Sequence, residues 1–199
     1  MAAQPEIMER FSANIGRVKR LITIYQQLAG PGRGRPSVEE ADLLRAAVVL
    51  LHAALEDLLR SIEEVRLPLA APRAFTRIPF PGTRSAEKIT LVELAAFRGQ
   101  AVDDVFRLAV DTHLEHSNYN NIEEIVGVLD RVGITAGWAK TGKSLIGSMM
   151  KRRHWIAHRA DRNPVAGPGH HRTLSLGYNL VRLWTASVET FGNDVITRL

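Results

Sequence analysis

Apolar residues recur every three or four positions along almost the whole chain, and no segment alternates apolar with polar, so the pattern predicts helices and no sheet. Ile7, Phe11, Ile15, Val18, Ile22, Tyr25 and Leu28 form one stripe of a first helix, which Gly30-Pro31 should stop. The stretch GPGRGRPS then reads as a loop. Ser37 and Glu40 have capping-box spacing and open a second helix that runs to about Val65. Its apolar positions, among them Leu43, Leu44, Val48, Leu51, Leu55, Leu58, Leu59 and Ile62, cover so much of its circumference that it should be central and mostly buried.

The second half is more broken. Pro68, Pro72, Pro79, Pro81 and Gly82 make a long connection between residues 67 and 84. Thr90 with Glu93 restarts a helix, and Ala101 to Glu115 continues or follows it. The polar string HSNYNN breaks the chain, and Asn121 caps a short helix, IEEIVGVLDRV, which Gly133 ends. A further helix is expected from about Lys143 to Ala160, then the loop DRNPVAGPGHH, then a last helix from about Thr173 to Arg198. The fold class is therefore all-α, an irregular up-and-down bundle of five to seven helices. Residues 1–36 supply a helix and loop, and residues 37–199 the main helical domain; the two should form one globular unit, since neither side of the proline-rich connection holds a complete core.

Composition changes this picture little, whereas charge changes it more. The chain has no cysteine, which excludes disulfides and thiolate metal sites. The N-terminus carries Glu6 and Glu9 without an apolar run, and the longest such run, Ala46 to Leu51, is too short to span a bilayer. A soluble, cytoplasmic protein with no membrane partner is expected. The net charge of +5 favours an anionic partner such as nucleic acid. Lys151, Arg152, Arg153, Arg159 and Arg162 concentrate that charge within twelve residues.

The chemistry sits in the same stretch, MMKRRHWIAHRAD. On an ideal helix His154 and His158 point within about 40° of each other, while Arg153 lies about 140° from His158. One helix cannot aim all three at one atom, but a second copy across a two-fold axis can supply the missing groups. These residue types suit RNA cleavage, where the substrate's own 2′-OH is the nucleophile and the protein needs a proton carrier and a cation. Imidazole titrates near neutral pH, and a guanidinium grips two phosphate oxygens. The plainer alternative is a solvated basic helix face with one apolar side at Trp155-Ile156.

The stretch RHWIAH, Arg153 to His158, resembles the signature of the HEPN superfamily: arginine, a polar residue, three residues, histidine. The helix VLLHAALEDLLRSIEE, the short helix NIEEIVGVLDRVGI and the Arg-Ala-Asp after the motif, followed by a Pro/Gly loop and one last helix, are similar to ribonuclease-like HEPN domains of the RiboL-PSP type. The likeness covers roughly residues 40–199. It implies a homodimer formed through the motif helix and metal-independent endoribonuclease activity, as a toxin or antiviral effector, with no cofactor and with an antitoxin or regulatory protein as a candidate partner. It also implies catalytic roles for Arg153, His154 and His158, beside RNA contacts from Lys143, Lys151, Arg152, Arg159 and Arg162. The rival is a HEPN module that binds RNA or a protein and uses the motif only to dimerise. Toxins of this kind often carry a tyrosine two residues after the motif histidine; Ala160 stands there, so silencing by adenylylation at that position is not expected.

Three further features are weaker. GWAKTGKS, Gly137 to Ser144, fits the phosphate-loop pattern in full, but a phosphate loop follows a buried strand, and helical spacing precedes this one. His113 and His116 lack a carboxylate pair at ligand spacing and read as a polar helix end, and His170-His171 read as solvated. Glu56 or Asp57 on the central helix is a candidate to orient the motif arginine, with a rim salt bridge as the alternative.

Overall fold

The computed structural model describes residues 3–30, 37–76, 78–83, 89–135, 142–163 and 173–199, and these form seven α-helices with two short 3-10 turns. Helix α1 spans Ala3–Ala29, α2 Val38–Arg66, α3 Leu91–Ala95, α4 Val102–His116, α5 Ile122–Arg131, α6 Gly142–Arg159 and α7 Tyr178–Thr197. Among the described residues there is no strand, only an isolated antiparallel bridge between Arg162 and Thr173.

The ends follow the punctuation in the sequence. Gly30 takes φ +60° and returns its amide to the Gln26 carbonyl, the left-handed stop that a glycine permits. Ser37 accepts the Glu40 amide at 3.1 Å while the Glu40 carboxylate accepts the Ser37 amide at 2.8 Å, so the capping box is complete. Thr90 and Glu93 build a second box, yet the helix it opens lasts five residues. Gly99, at φ +80°, separates α3 from α4, so the two segments follow one another instead of merging.

Helix α2 is the axle. Leu44, Val48, Leu51, Leu55, Leu58, Leu59 and Ile62 are at most 1% exposed. Around it pack the α1 stripe from Ile7 to Tyr25 and, from α7, Val181, Trp184, Val188, Val195 and Ile196, all within one continuous core. The first helix thus belongs to the same unit as the rest, and Leu28 alone of its stripe falls outside, 54% exposed. Helix α7 can lie this close to α1 because of Gly192: a Cβ there would stand 2.3 Å from the Phe11 ring. Gly147 does the same for α6 against Ile122 of α5, with a 3.3 Å approach.

The last helix starts at Tyr178, about five residues later than its periodicity suggests. Residues 173–177 are instead non-helical, and their carbonyls serve another purpose: Leu174 accepts from both Arg45 and Arg152, and Ser175 from Arg152. No helix among the described residues is long and apolar enough to cross a membrane.

Candidate active site

Helix α6 buries Ile146, Met149 and Met150 against the core, with Ile156 half-buried beside them, and turns Lys151, His154, Ala157, His158 and Arg159 outward. His154 and His158 lie on that outer face, both exposed, with ring centroids 4.7 Å apart. The four-residue spacing brings the two imidazoles together, as helix geometry requires. Arg153 points elsewhere. Half-buried, it donates from Nη1 to the Asn120 side-chain oxygen at 3.3 Å.

Asn120 belongs to the HSNYNN turn, and α2 holds that turn in place. His52, fully buried, donates from Nε2 to the Tyr119 carbonyl at 3.1 Å, and its Nδ1 lies 3.5 Å from Glu56. Burial by itself would raise the Glu56 pKa; hydrogen bonding and charge from His52, the charge of Arg153 and the Tyr119 amide outweigh it and hold the carboxyl below its ordinary range. Glu56 is therefore held as a carboxylate beside the buried His52, within the field of the motif arginine. Asp57 is not: it looks the other way, to Asn14 at 3.2 Å and Arg10 at 3.3 Å on α1, a rim pairing.

The end of α6 is fixed by a buried ion cluster. Asp161 is fully buried and accepts from Arg45 Nε at 2.9 Å and Arg152 Nη2 at 2.8 Å. Its backbone amide reaches the Trp155 carbonyl at 3.0 Å, and its carbonyl accepts the Leu174 amide at 2.8 Å. Ala160 and Asp161 both hold positive φ, 47° and 56°, a conformation that costs non-glycine residues and persists only where surrounding contacts impose it. Arg152, expected among the RNA-binding residues, turns its guanidinium inward to Asp161 and the carbonyls of Leu174 and Ser175, its side chain only 16% exposed.

The other basic residues do face outward. Lys151, Arg159 and Arg162 are exposed, Arg159 lying over the Trp155 ring at 5.1 Å, and Lys143 is exposed in the first turn of α6. Of the apolar pair beside the motif, Ile156 packs against the core and Trp155 is half-buried.

Among the described residues no strand precedes the phosphate-loop match. The chain up to Thr135 is α5 and a turn, while Gly137 to Thr141 and His170-His171 lie outside the described residues. Lys143→Ala should cost RNA affinity only modestly and reduce the salt slope of binding by about 0.9, one phosphate contact. Salt titration of binding checks this, and micromolar ATP affinity lost in the variant would reinstate the loop. His113 is half-buried, and among the described residues no group of His, Asp and Glu is placed to hold a metal ion.

No protein-family model, curated protein or solved structure matches the chain.

The residues that sequence reasoning missed are Asn120, Arg45 and Asp161. Asn120 had no signal beyond lying in a polar string. Asp161 did have one, an acid inside a basic run.

Proposed function

We propose that the protein is a HEPN-type endoribonuclease that cleaves RNA without a metal ion, through attack of the substrate's 2′-OH on the adjacent phosphate. The observation that carries this reading is the pair of exposed imidazoles 4.7 Å apart on the same helix as an oriented guanidinium. His158 takes the proton from the 2′-OH or returns one to the departing 5′-oxygen, work suited to an imidazole. Arg153 stabilises charge on the phosphate oxygens as the pentavalent transition state forms. His154 supports from the neighbouring turn. Asn120 holds Arg153 in one orientation before substrate arrives. Lys143, Lys151, Arg159 and Arg162 line the outer basic surface for the flanking phosphates.

Within one chain Arg153 is turned toward Asn120 while the imidazoles face solvent, so the site is completed by a second copy across a two-fold axis. Pure protein incubated with end-labelled RNA in EDTA tests the activity: cleavage is expected, and binding without cleavage would leave only a dimerising RNA-binding module. The composite site has its own test. His158→Ala and Arg153→Ala chains, each inactive alone, should recover activity when mixed and re-assorted, up to about a quarter of the wild-type rate, because half the dimers are mixed and each carries one intact site. A mixture that dimerises yet stays inactive would place both groups in one chain.

A further inference from the structure

The turn after α4 has two sides. On one, Asn120 meets Arg153. On the other, Ser117 and Asn118 border a cavity of about 610 Å³ that also reaches His113, Glu123 and an apolar wall of Ile78 and Val128. Asn118 and Asn120 are two residues apart, so the cavity's edge lies within about 7 Å of backbone from the residue that touches the motif arginine. The walls are fixed before any ligand arrives. The Tyr119 hydroxyl donates to the buried Glu63 at 2.6 Å, Arg131 pairs with the same carboxylate at 2.7 Å, and His52 holds the Tyr119 carbonyl.

The chemistry of the lining selects the ligand. A volume of 610 Å³ lies in the range of small-molecule sites, roughly 300–1,000 Å³, and exceeds what an ion fills. Ile78 and Val128 offer an apolar surface to the face of a flat ring. A phosphate is a poor fit, because Glu123 and Glu124 are acidic and the Arg131 charge is paired with Glu63. Glu123, exposed at the rim, accepts hydrogen bonds only; Asn118, also exposed, both donates and accepts. Burial lowers the His113 pKa, opposed by the charge of Glu63 and reinforced by that of Arg131, which favours the neutral ring, with one donor and one acceptor.

We propose that this cavity is a nucleobase pocket that takes guanine from the nucleotide beside the phosphate held at Arg153. Guanine is the base whose Watson–Crick edge carries two adjacent donors, N1–H and the N2 amino group, matching the two oxygens of the Glu123 carboxylate. The turn 117–121 then has a double duty: it orients the cation that meets the phosphate and, through Asn118, borders the pocket in which Glu123 of α5 reads the neighbouring base. This inference rests on the ribonuclease reading for its RNA context, but base binding is measurable without any cleavage.

The test therefore uses nucleosides, which contain no phosphodiester. Guanosine titrated into the full-length protein should give saturable shifts of the His113 ring resonances. Inosine, which lacks the N2 amino group, should bind about tenfold more weakly, and Glu123→Gln should weaken guanosine by about tenfold or more. Asn118→Ala serves as an independent variant on the exposed turn and should also weaken it. In parallel, oligonucleotides differing only in the base beside the cut should be cleaved fastest with guanine. Guanosine binding without cleavage of any RNA would uphold the pocket and sink the ribonuclease reading. Cleavage indifferent to the neighbouring base, with no saturable guanosine binding or binding unchanged in both variants, would overturn the pocket and leave the ribonuclease reading standing.

Discussion

His158→Ala is expected to slow RNA cleavage by roughly 100- to 10,000-fold, the range that a positioned proton carrier contributes. The side chain is exposed on the outer face of α6, so its removal opens no cavity in the core. Alanine is the strongest helix former, so the helix itself should be kept or slightly strengthened. Far-UV circular dichroism, melting temperature and dimer mass should therefore match wild type while the rate collapses. That separation is what distinguishes a catalytic role from a structural one. A variant that keeps the wild-type rate would remove His158 from the mechanism.

The largest expected loss of stability lies one turn further on. Asp161→Ala should destabilise the fold by roughly 3–5 kcal/mol, since deleting the buried carboxylate leaves Arg152 charged without its acid and Arg45 with only the exposed Asp42. Arg45 has a side chain only 9% exposed and draws its other bonds from Asp42 and the Leu174 carbonyl, so it cannot turn to water without moving α2 or residue 174. The backbone adds to the cost: φ 56° at this position is better tolerated by Asp or Asn than by Ala. Asp161→Asn keeps the shape and the tolerance of positive φ but loses the charge, and it should fall between wild type and Asp161→Ala. Urea unfolding monitored by circular dichroism reads both. A change below about 1 kcal/mol for Asp161→Ala would mean the cluster is solvated and does not fix the end of the motif helix.

The helices were legible because this chain marks its boundaries locally. Ser37 with Glu40, Thr90 with Glu93, Asn121, Gly30 and Gly133 each act within one turn, and each appears in the structure in its expected role. The late start of α7 was not legible, because what engages residues 173–177 is a pair of arginines distant in sequence, Arg45 and Arg152. The close approaches at Gly192 and Gly147 were hidden for a related reason: a glycine inside a helix announces no partner, and only the packing of Phe11 and Ile122 gives it one.

At the candidate site the sequence placed the imidazole pair and the divergence of Arg153, both consequences of helical rise and turn. It left Glu56 and Asp57 unresolved. The two are adjacent on α2, and their division of labour depends on which faces α1 and which faces the HSNYNN turn. It counted Arg152 among the outward cations, because charge density along a sequence carries no direction. A buried carboxylate nine residues later turns that guanidinium inward.

A nucleophile that belongs to the substrate leaves its mark on the ends of a cut RNA, compared with the same oligonucleotide carrying a single 2′-deoxy substitution at the cleaved nucleotide, in EDTA throughout. The expected ends are a 2′,3′-cyclic phosphate on one fragment and a 5′-OH on the other, with no cut at the deoxy position. Fragments with 5′-phosphates, cleavage that survives the deoxy substitution, or cleavage that appears only when magnesium is added would contradict that mechanism.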